Sequence, residues 1–236
     1  MNTSENLSVS FHKTTSEIVS QTIQNLVQGL TGIASSERKD VILSIGHVLQ
    51  RLRAGHFLSA FLKEWEEFKE KGKIKDDYQY TEQHYNCFQE LLDFLDKDLP
   101  DEVRFSVLKK IFLVAASEED TNRDSCLPVQ YMQICRNLKY GEVIILKTVF
   151  NIANDNDSWA ERHWSADDWL EKIAQDSGLK FKELVASYED ELIQKNLISL
   201  REHVDDSGVS IRPYFRLTSL GYELCKYIEL YDEKTI

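Results

Sequence analysis

Residues 214–228 read YFRLTSLGYELCKYI, and the fold turns on how that stretch divides. Its upstream neighbour GVSIRPYFRLT alternates: Val209, Ile211, Phe215 and Leu217 fall on one face, Arg212, Tyr214 and Arg216 on the other. A period of two predicts a strand covered on one side by a core. Downstream, LGYELCKYIELY drops the alternation and predicts a closing helix. ISLREHV lies just before, across the turn DDSG, so the two segments predict one β-hairpin.

Working outward, YGEVIILKTVFNIAN predicts a buried helix and SADDWLEKIAQDSGL a short capped helix ending at Gly178. KFKELVASYEDELIQKNLI predicts a longer amphipathic helix. Between the first two lies NDNDSWAERHW, a polar loop with two tryptophans. The order is therefore helix, helix, helix, hairpin, helix over residues 138–236.

That order, with FRLTSLGYELCKYI at its end, resembles a winged-helix domain of the kind found in MarR-like and PadR-like regulators. QKNLISLR resembles their junction between third helix and wing strand. The resemblance implies a winged-helix-like domain over 138–236, of bacterial type. In the DNA-binding members the third helix lies in the major groove. Here that helix matches FKELVASYEDELIQKNL, and residues 180–196 carry three lysines against four carboxylates. Its exposed side is expected to hold Glu183, Glu189, Asp190 and Glu191 against Lys180, Lys182 and Lys195. A groove-reading helix supplies Arg, Lys, Asn or Gln to bases and phosphates, and this one departs from that pattern. A nucleic-acid-binding reading would use Lys180, Lys182, Arg201, Arg212 and Arg216. Arginines on a solvated hairpin face are the simpler account of the last three.

The N-terminal part reads as all helix. Residues 1–13 read as a loose arm, and TTSEIVSQTIQNLVQGLTGI begins with a helix-start signal. Val41, Ile45, Val48, Leu49 and Leu52 make one apolar face that Phe57, Leu58, Phe61, Leu62, Trp65 and Phe68 continue, with Gly55 as a kink or a boundary. Gly72 suits a C-terminal cap. TEQHYNCFQELLDFLDKDL and PDEVRFSVLKKIFLVAA predict two more helices, and PVQYMQICRNL a short one. SEEDTNRDS reads as a linker. The expectation is a mainly α protein, with a helical bundle over 14–137 followed by the winged-helix-like domain over 138–236.

Composition limits the partners. Forty Asp and Glu against 28 Lys and Arg give a formal net charge of −12, which repels phosphate backbones and anionic membranes unless a local basic patch intervenes. No apolar run approaches the ~20 residues of a membrane helix. Cys87, Cys126, Cys135 and Cys225 form no Cys-x-x-Cys and read as buried small hydrophobes, and MNTSENLSVSFHK lacks the pattern of a signal peptide. A cytoplasmic protein is expected.

Motifs for chemistry are sparse. No Gly-x-Gly-x-x-Gly, P-loop, Gly-x-Ser-x-Gly or HExxH occurs, so no cofactor, metal site or catalytic residue is assigned. RLRAGH, residues 51–56, is similar to the Arg-then-His pattern of HEPN-type ribonucleases, in which Arg51 would hold a phosphate and His56 act as base. A leucine follows Arg51 where those enzymes place a polar residue. Trp159, Trp164 and Trp169 could anchor an interface or pack on the following helix. Three readings stand: a non-catalytic adaptor or regulator working through protein contacts, with homo-oligomerisation open; a winged-helix DNA-binding regulator; and a HEPN-like ribonuclease.

Overall fold

A computed structural model describes residues 38–75, 77–97, 101–117, 126–154, 166–200, 202–205, 208–211 and 216–235. The expected helix at 14–33 lies outside them, as do most of the linker SEEDTNRDS and of the tryptophan loop.

The periodic run from Val41 to Phe68 makes one helix, α1 (Arg38–Glu70). Gly55 neither kinks off a second helix nor ends the first. An interior glycine costs about 1 kcal/mol relative to alanine, and the Leu, Gln, Arg, Ala and Lys around it are strong helix formers. The helix stops where expected: Gly72 takes φ 65° and its N–H donates to the Lys69 carbonyl at 2.9 Å. After a 3-10 turn at Tyr78–Tyr80, Thr81 caps α2 (Glu82–Lys97), its Oγ1 accepting the His84 N–H at 3.1 Å. Asp101 caps α3 (Glu102–Ser117) through the Arg104 N–H at 2.9 Å. Then follow α4 (Leu127–Arg136), with Pro128 in its first turn, α5 (Tyr140–Asn154), α6 (Ala166–Ser177) and α7 (Lys182–Gln194). Two four-residue strands, β1 (Glu202–Asp205) and β2 (Gly208–Ile211), pair antiparallel with Glu202 opposite Ile211 and Asp205 opposite Gly208. A single bridge joins Ile198 to Leu217, and α8 (Ser219–Thr235) closes the chain. The protein is mainly α.

The chain divides into two compact units, but not at residues 137 and 138. One unit takes in Met1–Phe68 with Asp93–Pro100, the other Lys69–Leu92 with Asp101–Ile236. In the first, Phe61, Phe68, Phe94 and Leu95 are buried, and the Gln50 amide donates to the Asp96 carbonyl at 3.1 Å. In the second, α3 decides the grouping. Phe105, Leu108 and the whole run Ile111–Ala116 are buried, and an apolar run longer than a full helical turn must be covered on every side. It packs against α4, α5 and α8 together. The expected break after residue 137 would strip two of those neighbours from it. Among the described residues no helix is long and apolar enough to cross a membrane.

Candidate functional site

The segment Arg216–Gly221 closes the C-terminal elements, and the Arg216 and Thr218 side chains both have partners inside the protein. Arg216 is 1% exposed. Its Nε donates to the Ser199 carbonyl at 3.0 Å and its Nη1 to Glu189 Oε2 at 2.5 Å. The other Glu189 oxygen accepts the indole N–H of Trp169 at 3.3 Å. Leu217 bridges to Ile198. Thr218 starts α8: its Oγ1 accepts the Gly221 N–H at 3.0 Å while its hydroxyl donates to the Asn196 carbonyl at 2.7 Å. Gly221 has no room for a Cβ, which would collide with the Leu197 carbonyl.

Three expectations are corrected here. Strand alternation put Arg216 on the solvent face, helical position put Glu189 on the exposed side of α7, and Trp169 was a candidate surface anchor. All three are buried, because α6, α7 and the segment after β2 converge on one point. A guanidinium, a carboxylate and an indole N–H satisfy one another there, which is the condition for burying charge at all. Arg216 is therefore not placed to touch a phosphate.

A second polar network joins α5 to α7. The Glu142 side chain is fully buried and accepts the Lys139 N–H at 2.9 Å and the Lys195 ammonium at 2.8 Å. Glu191 pairs with Lys139 at 2.8 Å and with Lys195 at 3.5 Å. The Lys139 hydrogen bond holds the Glu191 carboxyl below the usual carboxylate range, and Glu191 raises Lys139 in return. Lys182 pairs with Asp167 at 2.8 Å and reaches Glu171 at 3.9 Å, its pKa raised chiefly by the Asp167 hydrogen bond. Lys180 is exposed at φ 63°. Arg201, Arg212, Trp159 and Trp164 lie outside the described residues.

The surface of α7 carries a feature that the sequence pattern did not bring out. Phe181 occupies the N-cap position with extended backbone and no side-chain capping bond, and it is 62% exposed. Leu184, one turn on, is 44% exposed. On α6 and α7 Asp167, Asp168, Glu171, Glu183 and Asp190 are exposed as well. The available signal was Phe181 itself, standing where Ser, Thr, Asp or Asn is favoured.

The ribonuclease pair does not come together within the chain. Arg51 and His56 are both exposed on the unbroken α1. Five residues turn a helix by about 140°, so the two side chains diverge. Of the thiols, Cys87, Cys135 and Cys225 are buried as expected and Cys126 is exposed. Burial pushes Cys225 up to about 12 and raises Cys135 as well, which leaves both thiols unreactive. A shallow depression of about 220 Å³, lined by Leu217, Thr218, Ser219, Tyr222 and Glu223, is smaller than the ~300–1,000 Å³ of most small-molecule sites.

The geometry defines a mainly helical protein whose C-terminal elements are locked by two internal ion-pair networks. No family model, no curated protein and no solved structure matches this chain.

Proposed function

We propose that this protein is a non-catalytic adaptor or regulator that acts through protein contacts, with its C-terminal elements forming a winged-helix-like scaffold. The order α5, α6, α7, β1, β2, α8 supports the winged-helix-like reading. One observation carries the functional reading: three cations in and near α7 are each paired within the chain, while two apolar side chains at its start are turned outward. Lys182, Lys195 and Arg216 each engage a carboxylate of the same chain, whereas Phe181 and Leu184 are exposed. Aromatic residues such as Phe are enriched at protein interfaces. A DNA-reading role would rest on Lys180, Arg201 and Arg212.

Two measurements test this. A photo-crosslinking amino acid at position 181 should give a discrete protein adduct in cells, and the same residue at the exposed position 226 of α8 should not. Fluorescence anisotropy with random duplex DNA should show no binding even at low salt. Binding that weakens steeply with salt would put the DNA-binding regulator first.

A further inference from the structure

The partner's chemistry can be read from the surface around Phe181. The segment 166–194, which spans α6 and α7, contains eight carboxylates and three lysines. Glu189 is buried against Arg216, Asp176 pairs with Lys172 one turn away, and Glu191 pairs with Lys139. Asp167, Asp168, Glu171, Glu183 and Asp190 are exposed on the same two helices as the exposed apolar pair, with Lys182 pairing with Asp167 and reaching Glu171. The connection between the helices is also locally unfavourable. Lys180 holds a left-handed backbone, which a non-glycine residue adopts at a cost, and Phe181 forgoes a capping bond. The Lys180 conformation closes a tight turn in which the Phe181 N–H donates to the Leu179 carbonyl at 2.8 Å, while the Phe181 ring stays largely in water.

We infer that the α6–α7 surface docks a basic amphipathic segment of a partner protein, apolar side chains seated on Phe181 and Leu184 and lysines or arginines set against Glu183, Asp190 and the α6 carboxylates. Charge complementarity selects this occupant. An acidic rim repels nucleic acid, anionic lipid and acidic peptides, and it attracts cationic segments with an association rate that falls with salt. The inference rests on the reading of this face as a protein-contact surface and adds the sign of the partner.

The test uses the full-length protein and two labelled 18-residue helical peptides of one pattern, one built from leucine and lysine, the other from leucine and glutamate. The Leu/Lys peptide should bind at least about tenfold more tightly in fluorescence anisotropy. Phe181→Ser with Leu184→Ser should weaken it by roughly fivefold or more, and Glu183→Lys with Asp190→Lys by roughly tenfold. Glu223→Lys with Glu229→Lys removes the same charge from the exposed side of α8 and should change affinity by less than about twofold. Circular dichroism of each variant checks that it is folded. Equal weakening by the α8 variant would reduce the effect to whole-molecule charge and overturn the proposal. Equal binding of the Leu/Glu peptide, lost on Phe181→Ser, would overturn the basic partner while keeping the protein-contact face. Binding of neither peptide also overturns it, and crosslinking at position 181 then judges the face separately. Self-association in sedimentation, lost on Leu184→Ser, would replace the partner with a second copy offering its own lysine-rich turn at residues 69–75.

Discussion

Arg216 shows how one residue can read as functional and act structurally. It sits in a strand-like pattern among arginines, yet its guanidinium is buried with Glu189, and Trp169 shares that carboxylate. Removing one member leaves the other charged and dry. Arg216→Met should cost about 3–5 kcal/mol in urea unfolding, whereas Arg216→Met with Glu189→Leu should cost less than the single change. If the single change costs under about 1 kcal/mol, the pair is not as isolated from water as its burial states. Phe181 presents the opposite case. Phe181→Ser supplies the missing cap and should raise stability by roughly 0.5–1 kcal/mol while weakening partner binding. A residue that stabilises on removal and serves binding in place is held there by function rather than by fold.

At the scale of elements, two glycines separate backbone from side-chain crowding. A Cβ at Gly221 would strike the Leu197 carbonyl, part of the backbone that α8 crosses at its start. A Cβ at Gly141 would strike the Tyr188 ring, which can swing aside. Gly221→Ala should therefore destabilise by about 1–3 kcal/mol despite alanine's better helix propensity, and Gly141→Ala by less. The start of α2 carries a pH dependence. His84 lies among Tyr78, Phe88 and Phe112, with ring centroids 5.4–6.0 Å away, and burial lowers its pKa from 6.5. The unfolded chain then binds the proton more readily than the folded one. Stability is full above about pH 6.5 and falls as pH drops below it, until the lowered folded pKa is passed. Urea midpoints at pH 7.5 and 5.0 should show a larger acid loss for the native sequence than for His84→Phe, which keeps the packing and removes the proton site.

For the whole molecule, charge dominates. A net charge of −12 and a pI near 5.0 predict solubility that falls towards pH 5 and recovers above pH 7, measurable by light scattering across that range. The charge is distributed: Lys195 and Glu142, Lys110 and Asp232, and Lys182 and Asp167 cancel in pairs that tie elements together. Excess carboxylates gather on α6 and α7. The helices of the second unit were legible because Val143, Leu146 and Phe150, or Leu108, Ile111 and Phe112, recur at helical steps whatever they pack against. Their grouping was not, because the apolar circumference of α3 states that it will be covered and not by which neighbours.

The sequence by itself determined most of the described helices, the cap at Gly72 and the acidic balance. Each of these depends on residues within a few positions of one another. Only the tertiary structure decided that Arg216 and Glu189 face inward, that α3 joins the C-terminal elements and that Phe181 is left in water. Those outcomes depend on which segments far apart in the chain converge. A buried ion pair and a surface one can carry identical local patterns, and burial is a property of the neighbours.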